Sequence, residues 1–123
     1  MNDEQIFKKV LDCSFRVHTN IGPGLLESAY EESLAFELVK MGLKVEKQKP
    51  MPLIYHNIKL EIGYRIDLLV ENLVIVEIKS VEAVNDVHLA QILTYLRLSG
   101  LRLGLLVNFN VNSLKNGIRR VIN

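Results

Sequence analysis

Three charged residues lie where an otherwise apolar pair of predicted strands should not tolerate them. The stretch from Tyr64 to Ser80 reads YRIDLLVENLVIVEIKS, and its nearly continuous apolar run indicates strands buried on both faces. Asp67 lies in the first strand, and Glu77 and Lys79 lie in the second. A carboxylate within a buried sheet is costly unless it is paired or bound to a cation. Two carboxylates beside an ammonium group would suit a hard divalent metal ion, with the lysine left for hydrolytic chemistry.

The alternation of side chains along a strand decides which of these groups can meet. Glu77 and Lys79 should point to one face of the sheet, with Ile78 between them pointing into the core. Two simpler interpretations stay open at this point. Asp67 and Lys79 could form a cross-strand ion pair, and Glu77 could lie on a solvated face.

The connection between the two strands sets the position of Asp67 relative to Glu77. A two-residue loop at Glu71-Asn72 would pair Asp67 with Val76 and send the two acids to opposite faces. Placing the acids side by side requires a three-residue connection or a bulge, and we expect one of these.

Length and composition limit the classes of protein that this chain can represent. With 123 residues and a net charge of +1, it is expected to form a single domain, residues 1–123, without a global positive field for nucleic acid. Its one cysteine, Cys13, excludes a disulfide framework and a cysteine-rich zinc site. No apolar run approaches a membrane span, and the polar start MNDEQIFKK does not resemble a signal peptide. A cytoplasmic location and no membrane partner are therefore expected.

Two helices are predicted before the strands. Asp3 should cap the first, which runs to about Thr19, and the corner Gly22-Pro23-Gly24 separates it from the second. The second helix should extend from about Leu25 to Met41, with Gly42 ending it. Its predicted buried stripe consists of Leu26, Ala29, Tyr30, Leu34, Leu38 and Met41.

These helices carry two residues that could belong to a site. His18 either interacts with the helix dipole at the end of the first helix or lines a site beside the glycine corner. Glu27, next to the buried stripe and one turn before Tyr30, either complements the dipole of the second helix or reaches the acidic strands.

The period then changes from helical to two. Residues 43–47 alternate as an edge strand does, and 53–55 and 58–62 read as a hairpin turning at His56-Asn57. Gly63 could form a bulge before the Asp67 strand. After the acidic strands, a third helix should begin near Asn85 or Asp86 and end at Ser99.

The third helix has a polar stripe beside its apolar one. His88, Gln91 and Tyr95 form this stripe, which is either a solvated face or the wall of a site. Residues 103–107 should be a central strand, and 111–121 a short closing helix. The order predicts an α/β fold, a mixed central sheet flanked by helices on both faces. The 103–107 strand should return parallel to the Glu77 strand through a right-handed crossover.

Four motifs follow one another along the chain at fitting distances, and they resemble those of a known group of proteins. Asp67 followed by Glu77-Ile78-Lys79 resembles the PD-(D/E)XK nuclease superfamily, with its restriction-endonuclease-like core. The segment 91–95, QILTY, is similar to the QxxxY element of the RecB-type exonuclease branch. The segment 24–30, GLLESAY, matches the signature of the GxxExxY family, and 17–18, 63–67 and 106–110 resemble its characteristic surroundings. Arg65-Ile66 stands where the superfamily pattern has a proline before the aspartate.

The resemblance implies a role for each candidate residue. Asp67 and Glu77, with the Ile78 carbonyl, would bind Mg²⁺ or Mn²⁺, and Lys79 would orient or deprotonate the attacking water. Glu27 would be an outer ligand of the metal or the water. Substrate-binding or supporting residues would be Gln91, Tyr95, Tyr30, His18 and His88.

The resulting expectation is a metal-dependent nuclease, a phosphodiester hydrolase that acts on DNA. The alternative is a nucleic-acid-binding or partner-binding module that keeps the fold with little or no catalysis. A hydrolase of small phosphodiesters, or a subunit that needs a partner, is a third option. Because duplex cleavage requires two cuts, a homodimer or a larger nuclease complex is compatible with one site in a small domain. Basic groups available to nucleic acid are Lys44, Lys47, Lys49, Arg97, Arg102, Arg119 and Arg120.

Overall fold

Two helices precede the sheet in the computed structural model, which describes residues 1–123. Helix α1 spans Asp3–Ile21, and α2 spans Glu27–Lys40. The cap of α1 is Asn2 rather than Asp3, because Asn2 and Gln5 exchange side-chain to backbone hydrogen bonds, each 2.9 Å long, in a capping box. Leu26 and Met41 are 77% and 36% exposed, so their assignment to the buried stripe was wrong: they lie at the N-cap and the C-cap of α2, outside the helical repeat.

Seven strands and one more helix follow. The five-stranded sheet has the order β1-β4-β5-β6-β7, in which β5 and β6 are parallel and all other neighbours are antiparallel. Strands β2 and β3 form a separate hairpin. The bounds are Val45–Pro50 (β1), Leu53–Tyr55 (β2), Ile58–Leu60 (β3), Arg65–Val70 (β4), Val74–Lys79 (β5), Asp86–Ser99 (α3), Leu103–Asn108 (β6) and Ile118–Ile122 (β7).

The predicted hairpin of β2 and β3 is confirmed, and the backbone of His56 and Asn57 explains how two residues are enough for its turn. His56 and Asn57 have φ values of 50° and 66°, the left-handed pair that matches the twist of two antiparallel strands. Gly63 also has a positive φ, 84°, but it lies in the connection between β3 and β4 and not in a strand. The bulge predicted there does not form.

Helices cover both faces of the sheet, as predicted, and the two layers are unequal. Helices α1 and α2 pack on one face over a core cluster of 20 buried residues, whereas α3 packs on the other face over a cluster of 7. Val76 and Ile78 of β5 belong to the larger cluster, and Ile75 belongs to the smaller one. Since side chains alternate, Glu77 and Lys79 are on the α3 side of β5, where the covering layer is thinner.

The closing helix predicted for residues 111–121 is wrong. A short 3₁₀ turn, Leu114–Gly117, leads into β7, which pairs with β6 from Val107 opposite Ile118 to Leu103 opposite Ile122. The apolar spacing of this segment fits a helix, but β6 would then present an unpaired edge. None of the three α-helices has the length and apolar character needed to cross a membrane.

Candidate active site

The connection between β4 and β5 places the two acids side by side. Val70 pairs with Val74 across three residues, and the ladder continues to Leu68 opposite Val76, so the next position along brings Asp67 opposite Glu77. The three-residue connection that we expected is therefore confirmed. It turns through Glu71-Asn72, where both residues have positive φ, 53° and 55°.

At Asp67 the side chains of the acids replace the backbone ladder. The Asp67 backbone N–H donates to Glu77 Oε2 at 3.3 Å, and the Ile78 N–H donates to Asp67 Oδ2 at 2.8 Å. The strands thus separate at the position where the two carboxyl groups converge. The convergence is a consequence of register, because a shift of one residue would move one acid to the other face.

Burial makes this pair electrostatically unusual. Glu77 is only 3% exposed, which excludes the solvated face that its sequence left open. Removal from water, followed by the negative charge of Asp67, raises the pKa of Glu77 to about 9, against the opposing effect of the Lys79 ammonium. At neutral pH the carboxyl group of Glu77 therefore holds a proton, and a cation would be the natural competitor for that position.

Lys79 lies beside the acids without being neutralised by one of them. It is half-buried at the end of β5, and none of the ion pairs in the chain includes it. The cross-strand ion pair with Asp67 is therefore not formed. An unpaired ammonium two residues from a buried carboxyl group is available to a water molecule or to an anionic substrate.

Glu27 contacts the end of β5 rather than the acidic pair. Its Oε2 accepts from the Ser80 backbone N–H at 3.1 Å, and the Ser80 hydroxyl donates to the Leu25 carbonyl at 2.7 Å. Together these contacts connect the start of α2 to the residue that follows Lys79. Glu27 is exposed and can reach the same edge of the sheet, but it does not touch Asp67 or Glu77.

Tyr30 supports this segment from the core. It is fully buried, its hydroxyl donates to the Gly22 carbonyl at 2.6 Å, and the Leu25 N–H donates to that hydroxyl at 3.2 Å. Its ring stacks on Phe109, with centroids 4.5 Å apart and planes 5° apart. Such a tyrosine holds the glycine corner in place and cannot contact a substrate in this arrangement.

A third carboxylate, which the sequence analysis missed, reaches Asp67 through an amide. Gln48 Nε2 donates to Glu31 Oε1 at 2.6 Å and to Asp67 Oδ1 at 3.2 Å. Burial, and then the charge of Asp67, raise the pKa of Glu31, while the hydrogen bond from Gln48 opposes that rise. The spacing of Glu31 one helical turn after Glu27 was a usable signal. Gln48 gave none, because its reach depends on a left-handed φ of 51° within β1.

The polar stripe of α3 divides into a buried part and a capping part. Tyr95 is 3% exposed, and burial, with the charges of Glu77 and Asp67, raises its pKa to about 12. Gln91 is half-buried and lines a cleft with Tyr95. His88 Nδ1 accepts from the Asn85 N–H at 3.2 Å and so belongs to the cap of α3.

Two more polar residues hold the surroundings of the site. His18 Nε2 lies 2.7 Å from the Val111 carbonyl, which can only accept, so this nitrogen carries the proton. Asn108, which the sequence analysis did not select, is 2% exposed and exchanges two hydrogen bonds with the backbone of Val81. It fixes the loop that follows β5.

The oxygen donors suit a hard divalent cation, although no three His, Cys, Asp or Glu side chains converge as a ready-made metal site. The positive charge of Lys79 does not offset the burial and mutual repulsion of the two carboxyl groups, which together raise the pKa of Glu77. Asp67, Glu77 and the Ile78 carbonyl are the groups that could hold such an ion. The donor set therefore fits Mg²⁺ or Mn²⁺ better than a softer metal.

Comparison with known proteins gives one match that covers almost the whole chain. The family model of the PD-(D/E)XK nuclease superfamily matches residues 4–121. No curated protein and no solved structure matches the chain. The matched range contains both acidic strands, the lysine and the three helices, and the chain belongs to the PD-(D/E)XK nuclease superfamily.

Proposed function

We propose that this chain is a metal-dependent phosphodiester hydrolase that acts on DNA, and that it belongs to the GxxExxY branch of the superfamily. The observation that carries the proposal is the convergence of Asp67 and Glu77 beside the unpaired Lys79. The segment Gly24 to Tyr30, which connects α2 to the end of β5, supports assignment to that branch.

A bound metal ion would relieve the repulsion between the carboxyl groups of Asp67 and Glu77. PD-(D/E)XK nucleases generally use divalent metal ions. Asp67, Glu77 and the Ile78 carbonyl would hold Mg²⁺ or Mn²⁺, which when bound supplies a Lewis acid and screens the charge of the phosphodiester. Glu77 must lose its proton to become a ligand, so binding would release one proton to solvent.

The remaining residues would act on the water and on the substrate. Lys79 would orient the attacking water, accept its proton or stabilise the negative charge of the transition state. Glu27 and Glu31 both approach this edge of the sheet, and either could orient a water molecule. Gln91 and Tyr95 would support the substrate from α3, and Tyr95 would remain protonated at neutral pH.

Cleavage of plasmid DNA and of single-stranded oligonucleotides, with Mg²⁺ or Mn²⁺, tests this function. We expect Asp67→Asn, Glu77→Gln and Lys79→Met each to lower the rate by about a hundredfold or more, since each removes a charge that acts in the transition state. Lys8→Met is the matched control for Lys79→Met, because Lys8 is exposed on α1 and forms no ion pair.

Two outcomes of the cleavage assay would contradict the proposal. A wild-type protein that cleaves none of these substrates with either metal would leave the hydrolase without support. Variants of Asp67 and Lys79 that cleave as fast as the Lys8 control would show that the activity arises elsewhere. Cutting both strands of a duplex would need two sites, so a homodimer or a larger nuclease complex remains part of the proposal.

A binding module with little catalysis is the second candidate, and one observation favours it. No group of three His, Cys, Asp or Glu side chains converges at this edge of the sheet, so a cation would find only two carboxyl groups. Salt-dependent binding of DNA with no cleavage at any pH up to about 9 would select this alternative.

A further inference from the structure

A small cleft opens between α3 and the segment that leads into β4. Tyr64 and Leu53 form one wall, and Ala90, Gln91, Thr94 and Leu98 line the other along α3. Its volume is about 350 Å³, at the lower end of the range for ligand sites. A helix with its side chains is about 10–12 Å across, so the cleft is too small for a helical partner and large enough for one flat heterocycle.

The cleft adjoins the acidic pair. Tyr95 lines it and lies within electrostatic reach of Glu77 and Asp67, whose charges affect the Tyr95 hydroxyl. Strand parity gives the same placement, because Glu77 shares the face of β5 with Ile75, which packs in the core cluster of α3. A ligand in the cleft would therefore lie on the same face of the sheet as the acidic pair, separated from it by Tyr95.

The lining has the chemistry of a base site. Most of it is apolar, and the Tyr64 and Tyr95 rings meet edge to face with centroids 6.4 Å apart. Gln91 and Thr94 contribute an amide and a hydroxyl to an otherwise apolar wall. A nucleobase has a flat apolar face for the exposed Tyr64 ring, which the buried Tyr95 supports, and a hydrogen-bonding edge for these two groups.

We infer that this cleft binds one unpaired nucleobase of the substrate strand, which makes DNA with single-stranded or frayed segments the preferred substrate. The inference rests on the proposed function for its substrate class. A paired base is held within the stack, and only an unpaired or extruded base can enter a recessed cleft.

Equilibrium binding in EDTA tests this inference without requiring cleavage. The probes are a labelled oligothymidylate and a deoxyribose-phosphate chain of the same length that lacks its bases. Both carry the same phosphates, so they differ only in the groups that the cleft would bind. We expect the wild-type protein to bind the oligothymidylate about tenfold more tightly, the magnitude of stacking one base on aromatic side chains.

Filling the cleft should remove that preference. Ala90→Leu adds three carbon atoms at an exposed helical position that lines the cleft, and Ala83→Leu adds the same atoms in an exposed loop outside it. We expect Ala90→Leu to bind both probes equally and Ala83→Leu to keep the tenfold difference. Thr94→Leu is the second cleft variant if thermal melting shows that Ala90→Leu does not fold.

The outcomes separate this inference from the proposed function. Equal binding of both probes by the wild type, no binding of either, or a full preference in a folded cleft variant would overturn the base site. A base preference without metal-dependent cleavage would support the base site and contradict the hydrolase function. Cleavage without a base preference would support the hydrolase function and contradict the base site.

Discussion

Glu77 is the residue whose surroundings most restrict how the chain can work. It is buried against Asp67, and it keeps a proton up to a pH of about 9. A proton and a divalent cation both relieve the repulsion between the two carboxyl groups, so they compete for the same oxygen atoms. Activity should therefore be higher at alkaline pH, where fewer protons compete with the cation. Without a metal ion, protonation of Glu77 instead affects the stability of the fold.

The stability of the protein in EDTA should fall as the pH rises from about 5 to about 9. Over this range the unfolded chain has lost the Glu77 proton, whose ordinary pKa is 4.5, while the folded chain retains it. The unfolded state thus binds fewer protons, and stability that is fully present below 4.5 is lost as the pH rises through 9. The slope is at most about 1.4 kcal/mol per pH unit.

Urea unfolding at several pH values measures this slope, and Glu77→Gln is its control. Glutamine has the shape of the protonated glutamate and cannot ionise, so we expect the variant to have a much flatter profile over this range. A wild-type profile as flat as that of the variant would show that Glu77 is not held in its neutral form.

Residue types alone pointed to Asp67, Glu77 and Lys79, because charges within an apolar strand pair are physically exceptional. For Glu31 they gave only its spacing, one helical turn after Glu27, because its contact with Gln48 forms only when the tertiary fold brings α2 against β1. Residue types also could not distinguish the role of Glu27 from that of Glu31, since both side chains are on one face of α2. Side-chain contacts across elements, which no local pattern encodes, decide such roles.

At the scale of elements, the segment from Gly24 to Tyr30 organises the edge of the sheet more than it supplies chemistry. Tyr30 anchors the glycine corner, and Glu27 and Leu25 both contact Ser80. The end of β5 is thereby fixed next to Lys79. Because Tyr30 is completely buried, it can support this segment but cannot contact a substrate.

The antiparallel pairing of β4 with β5 and the parallel pairing of β5 with β6 followed from apolar runs, because buried strands have few competing interpretations. The closing element did not follow, since Leu114, Ile118 and Val121 have the i, i+4, i+7 spacing of a helix. What decides the outcome is non-local: a Cβ atom on Gly117 would lie 2.0 Å from the Asn108 carbonyl oxygen. The chain thus returns tightly along β6.

Gly117→Ala should therefore destabilise the protein by about 3 kcal/mol or more, because the obstructing atom belongs to the backbone and cannot turn aside. Gly104→Ala is the matched control. Its Cβ would meet the tip of the Ile92 side chain at 3.0 Å and the Ile75 carbonyl oxygen at 3.3 Å, and shifts of a few tenths of an ångström would relieve both contacts, so we expect a loss of only about 1 kcal/mol. Denaturant unfolding of both variants gives the comparison, and equal losses would contradict the close approach at Gly117.

For the whole molecule, charge is balanced locally as well as in total. Of the seven basic residues that the sequence offered to nucleic acid, five are paired with carboxylates within 4.0 Å, namely Lys44, Lys47, Lys49, Arg102 and Arg120. A phosphate approaching any of these meets an acidic neighbour. Arg97 and Arg119 remain without such a partner, as does Lys79 beside the acidic pair, and we expect these three cations to neutralise a bound strand.

Binding of single-stranded DNA should consequently depend only weakly on salt. Each phosphate that the protein neutralises contributes about 0.7 to the slope of log K against log salt concentration, so neutralisation by Lys79, Arg97 and Arg119 alone predicts a slope of about −2. Fluorescence anisotropy in EDTA over a range of salt concentrations measures the slope. Arg97→Ala should make it shallower by about 0.7, and Lys47→Ala, which removes a cation already paired with Glu32, should leave it unchanged. A slope of about −5 or steeper, or an equal change in both variants, would mean that the paired residues also bind the strand.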